Sequence, residues 1–65
     1  MSNLTDAEDA YRQQRAGAQL VGRWTLRRSY RRTHQRAMAG SDLAKVRLKA
    51  LRDEYTARGL AVPRV

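Results

Sequence analysis

The sequence predicts an all-α protein, built as an antiparallel helical hairpin with a short extended C-terminal tail. Three observations carry that expectation: a helix-capping signal near the start, a Gly40-Ser41-Asp42 boundary, and a leucine-containing stripe with helical spacing that ends at Gly59.

The first element follows from Leu4-Thr5-Asp6-Ala7-Glu8. Thr5 with Glu8 three residues later forms a capping box, and Asp6 and Asp9 suit the positive end of a helix dipole. The predicted helix starts at about Asp6, with residues 1–5 as a lead-in. Ala7, Ala10, Tyr11, Gly17, Ala18, Val21 and Trp24 fall within an arc of roughly 140° on a helical wheel. Ala10, Tyr11, Gly17, Val21 and Trp24 are therefore read as a docking stripe for a protein neighbour, with Trp24 as its large anchor.

After Gly22 the apolar phase changes. Leu26, Tyr30, Thr33 and Ala37 form a second narrow stripe, well round the helix from Val21 and Trp24. A break at Gly22 and a single helix with two partners both fit this shift. Glycine inside a helix costs only about 1 kcal/mol, so one long arginine-rich helix over about 6–38 is expected, bent near Gly22.

Gly40 suits a left-handed C′ position, Ser41 the next N-cap and Asp42 the first turn. The second helix, about 42–58, carries Ala44, Leu48, Leu51 and Tyr55 on one side and the weaker set Leu43, Val46, Ala50 and Ala57 nearly opposite. Lys49 with Asp53 and Glu54 with Arg58 are spaced as i,i+4 ion pairs. Gly59 closes this helix, Leu60 is placed to pack back on Tyr55, and Pro63 prevents continuation, leaving 59–65 as the tail. So short a turn at 40–41 forces the two helices antiparallel.

The whole of 1–65 is one small domain. Its apolar fraction is 42%, it has no phenylalanine, and its mean hydropathy is −0.79, so the core must be thin. With no cysteine, neither a disulfide nor a thiolate metal site can reinforce it. Association is the expected supplement, with copies of itself or within a larger assembly.

Charge narrows the function. The net charge is +8, and twelve of the fourteen bases are arginine. Residues 1–10 carry three acids and no base, 11–40 carry eight arginines and no acid, and 41–65 carry six bases against three acids. Arg23, Arg27, Arg28, Arg31, Arg32 and Arg36 recur turn by turn, as a line of phosphates requires, and Tyr30 and His34 interleave with them as candidates for stacking or phosphate hydrogen bonds. A GC-rich coding bias accounts for part of the arginine-to-lysine ratio, but not for the missing acids.

Catalysis finds no support in the residue set. His34 is the only histidine, Asp53 and Glu54 are adjacent and so diverge on a helix, and there is no glycine-rich phosphate loop or metal-ligand spacing. No cofactor or metal is implied. No stretch reaches the length of a membrane span or a signal-peptide core, so an intracellular place, or one inside a viral particle, is expected rather than secretion.

The reading that joins these points is a non-catalytic structural component of a nucleoprotein assembly, such as a phage, virus or ribosome-like particle. It meets nucleic acid of either kind, DNA or RNA, through Arg23–Arg36, and protein subunits through its apolar stripes. One rival is a protein-only adaptor whose arginines pair with acidic protein surfaces, for example in joining phage head and tail. A second is a small DNA-binding regulator acting as a homodimer.

Overall fold

The computed structural model describes residues 3–64, with side-chain environments for 6–64. The described chain is helical throughout its regular structure, as three helices: α1 (Asn3–Gln19), α2 (Arg23–Met38) and α3 (Asp42–Ala57). Two departures from the expected pair of helices stand out. The expected long helix over 6–38 is two helices, broken at 20–22. The first of them also begins at Asn3 rather than Asp6, so the backbone of Thr5 is already helical. The Thr5 side chain on which the capping box depends lies outside the described residues.

The break at 20–22 has a physical cause in α3, far along the sequence. The last turn of α1 tightens through Leu20 N–H to Gly17 O and Val21 N–H to Ala18 O bonds at 3.2 and 3.4 Å. Arg58, at the C-cap of α3, then donates from Nη2 to Ala18 O at 3.0 Å and to Val21 O at 2.8 Å. A guanidinium from another helix thus takes two carbonyls that a continuous helix would have used internally. It also places positive charge at the negative end of α1. Gly22 is extended, with φ −73° and ψ 166°, and serves as the N-cap of α2 without any side-chain cap.

The same guanidinium is held by Glu54. Arg58 Nε lies 2.7 Å from Glu54 Oε2, while Arg15 of α1 places Nη1 2.9 Å from Oε1. Glu54 is 5% exposed, so its carboxylate is buried. Its i,i+4 pair with Arg58 exists, but as part of a three-residue node in which the carboxylate is buried and the two arginines half-buried. The node joins the middle of α1, the end of α1 and the end of α3. A buried carboxylate is tolerated because each oxygen has a cationic donor.

The turn from α2 to α3 shows how glycine ends a helix in this chain. Gly40 has φ 103°; Gly40 N–H bonds to Ala37 O at 3.1 Å and Ser41 N–H to Arg36 O at 3.2 Å. Ser41 Oγ then accepts from Ala44 N–H at 3.2 Å, capping α3. The end of α3 repeats the device: Gly59 has φ 71°, and Leu60 N–H reaches Tyr55 O at 2.9 Å.

The chain reverses between α2 and α3, and the two helices pack through Leu26 and Tyr30 on one side and Leu51 and Tyr55 on the other. The Tyr30 and Tyr55 rings meet edge to face, 5.8 Å between centroids. Leu26, Tyr30, Thr33 and Ala37 are the buried face of α2. Ala18 closes the cluster from α1, and Val21, Leu48, Leu60 and Val62 pack around it, so part of the tail belongs to the core. Helix α3 is the shared neighbour, packing against both α1 and α2, which scarcely touch one another. Gln14 lines a hollow with Ala44 and Arg47, while the adjacent Arg15 reaches Glu54.

The result is a slab of 36 × 24 × 15 Å. Every helix keeps an exposed face. Gly17 sits on such a face. A Cβ at Gly17 would meet nothing within 4 Å. The substitution Gly17→Ala should therefore stabilise the protein by about 1 kcal/mol through helix propensity alone. Thermal unfolding should show a rise of about 4–8 °C for a domain of this size; a fall would mean that the face is packed.

Candidate nucleic-acid interface

Burying Leu26, Tyr30, Thr33 and Ala37 against α3 turns the rest of α2 outward. Arg23, Arg27, Arg28, Arg31, Arg32 and Arg36 are all exposed. No ion pair among the described residues involves any of them. Arg27, Arg28, Arg31 and Arg32 line one shallow groove together with Trp24 and Gln35. Arg28, Arg32 and Arg36 line a second with Thr25, Ser29, Thr33 and Arg47. The helix turn repeats the cations, and the short side chains between them form the floor. Such a surface presents many N–H donors and no carboxylate, which suits a row of phosphate or carboxylate oxygens.

One of the residues assigned to this surface behaves differently from expectation. Tyr30 is 3% exposed and belongs to the core, so its ring has no face free for a base. The cause is the phase of the helix: Tyr30 shares the stripe of Leu26, and that stripe is the one α3 covers. His34 is half-buried beside the ladder. Arg47 is an addition: it comes from α3 and lines the second hollow beside Arg36. An antiparallel register set by the 39–41 turn brings 36 near 44–47, so the sequence carried that signal.

The docking stripe does not survive as one surface. Ala10 and Tyr11 are half-buried on α1, Gly17 is exposed, and Val21 packs on the protein's own core. Trp24, 73% exposed, is on α2 beyond the break, with the Arg23 guanidinium 5.9 Å from its ring centroid. A wheel drawn through 20–22 had placed these five on one face, and the break removes that face. The remaining large exposed apolar side chains flank the turns: Leu20 at the first, Met38 and Leu43 at the second.

Tyr11 instead fastens α1 to α3. Its hydroxyl donates to Asp53 Oδ2, and the Lys49 ammonium lies 5.6 Å from its ring centroid. Asp53 is therefore engaged by Tyr11 and not by Lys49, correcting the expected i,i+4 pair.

No family model matches the chain, and comparison with curated proteins and with solved structures found no match. Among the described residues, no helix is long and apolar enough to cross a membrane.

The hydrogen bond to Asp53, then partial burial and the Asp53 charge, raise the Tyr11 pKa above its usual 10, against a lowering by Arg15. Burial raises that of Tyr55, against the charges of Arg27, Arg23 and Arg58. Each phenol holds its proton more tightly in the folded state than in the unfolded one. Their stabilisation is thus complete below pH about 10 and is lost as pH rises through the raised folded values. The urea midpoint should fall above that pH, and Tyr11→Phe should make the fall shallower. An unchanged slope in the variant would remove Tyr11 from the account.

Proposed function

We propose that the protein is a non-catalytic, arginine-rich structural component of a nucleoprotein assembly, such as a phage or virus particle or a ribosome-like particle. Its exposed α2 ladder meets the phosphates of DNA or RNA. The observation that supports this reading best is the division of the arginines. Arg15 and Arg58 are paired with Glu54, whereas the α2 arginines stand exposed on a helix and, among the described residues, without an ion pair. A ladder of this kind binds phosphate by displacing counterions and reads little sequence. Leu20, Met38 and Leu43, exposed at the two turns, are the side chains through which protein subunits or a second copy would be met.

Mobility-shift titration at two salt concentrations tests the reading. The native chain should bind an oligonucleotide with an affinity that falls steeply between them. The quadruple change Arg27→Gln, Arg28→Gln, Arg31→Gln and Arg32→Gln lies on exposed side chains and should leave the fold intact. It should weaken binding by about 100-fold or more and flatten the salt slope by roughly four. Unchanged affinity and slope would overturn the reading. Loss of co-purification with an acidic protein, with no nucleic-acid binding by either form, would replace it with the protein-only adaptor.

A further inference from the structure

Among the described residues three arginines are half-buried: Arg15, Arg47 and Arg58. Two of them share the Glu54 carboxylate. Arg47, on α3, has no ion pair among the described residues. It lines instead a hollow of about 260 Å³ between α2 and α3, whose other cationic walls are Arg28, Arg32 and Arg36. Thr25, Ser29 and Thr33 complete the lining, so four guanidinium groups border the hollow and no carboxylate does.

The helices dictate this meeting. Arg28, Arg32 and Arg36 recur at i,i+4 and so stand one above another along one side of α2. The Gly40-Ser41 turn sends α3 back beside that helix, and the second turn of α3 carries Arg47 to the α2 flank. On its other side Arg47 meets Gln14 of α1, whose neutral amide leaves the charge uncompensated.

Water solvates such a cluster but does not neutralise it, and partial burial reduces even the solvation. Like charges facing one hollow from two helices repel until an anion enters. Guanidinium forks match the oxygens of a phosphate, and Thr25 and Ser29 add hydroxyl groups at the same wall. The groove around Arg27 and Arg31 differs, because α2 alone supplies its lining. That groove offers cations along one helix, whereas the hollow sets them on two walls.

We propose that the hollow is a seat for a single phosphate group, gripped by Arg28, Arg32 and Arg36 and closed by Arg47 from the neighbouring helix. The seat deepens the nucleic-acid reading and rests on it for the source of the phosphate: the ladder attracts a strand, and the seat fixes one of its phosphates at a defined place. Free inorganic phosphate offers the same chemistry without a strand.

A double-mutant cycle on binding separates one shared phosphate from a row of independent contacts. With a fluorescein-labelled oligothymidylate at low salt, anisotropy should show Arg36→Gln and Arg47→Gln each weakening binding by about tenfold. The double variant should fall short of the product of the two losses by about fivefold, because either loss already opens the seat. Arg31→Gln, outside the hollow, should multiply with Arg47→Gln to within about twofold. Without ligand, Arg47→Gln should melt no lower than the native chain, since it removes one of four like charges. Should it melt lower, Arg47→Lys, which keeps the charge but not the fork, must show the same shortfall with Arg36→Gln. Unchanged affinity in Arg47→Gln, or full multiplication with Arg36→Gln, would overturn the seat and leave the ladder standing. If the native chain binds no oligonucleotide, the nucleic-acid reading falls. The seat then stands if inorganic phosphate raises the melting temperature saturably in the native chain and not in Arg47→Gln, and falls otherwise. Hexaglutamate binding with the same shortfall would overturn phosphate in favour of a carboxylate ligand.

Discussion

The carboxylate of Glu54 is the constraint on which the arrangement of this protein depends. It is buried beneath α1, and burial of a lone carboxylate would cost far more than so thin a core can offset. Arg15 and Arg58 make the burial tolerable, one on each oxygen. Arg58 in turn reaches the carbonyls of Ala18 and Val21, so the same ion pair that neutralises Glu54 also ends α1. A hydrophobic cluster of Leu26, Tyr30, Leu51 and Tyr55 joins α2 to α3, but the polar node orients α1 across them. To the apolar cluster α1 itself contributes Ala18, and Val21 packs on it from the break.

This division sorts the arginines of a strongly basic chain into two kinds. Those near Glu54 are structural, partly covered and fully engaged. Those on α2 are excluded from the core by helix phase and receive no acid from any described neighbour. The contrast matters because arginine content by itself says little; a charge run is most often a solvated face. Here the chain keeps one buried acid for architecture and none for the ladder. Self-repulsion along α2 is the consequence, which an anionic partner would relieve.

Much of the fold was legible in local signals. Gly40-Ser41-Asp42 and Gly59-Leu60 behave as their residue chemistry dictates, since left-handed glycines and serine caps depend only on nearby backbone. The buried face Leu26-Tyr30-Thr33-Ala37 was likewise visible as a phase shift after Gly22. The break that the shift marks was not resolved, because propensity puts a helical glycine at only about 1 kcal/mol. What decided it was Arg58, thirty-six residues beyond Gly22 in the chain, capping carbonyls that no local rule connects to it. The burial of Glu54 was missed for the same reason: its i,i+4 partner was evident, but Arg15 lies on another helix. On the candidate surface the arginines could be read from spacing. Tyr30 was misassigned because a residue between arginines in sequence need not lie between them in space.

The account therefore turns on whether Glu54, Arg15 and Arg58 act as one unit. A double-mutant cycle on unfolding free energy, using Glu54→Gln and Arg58→Gln singly and together, measures this directly. Coupling of about 1–3 kcal/mol is predicted, since Arg58→Gln leaves one oxygen of the buried Glu54 carboxylate without its cation, and Glu54→Gln removes the charge that holds Arg58. Additivity within about 0.5 kcal/mol would contradict it and reduce the node to an incidental contact.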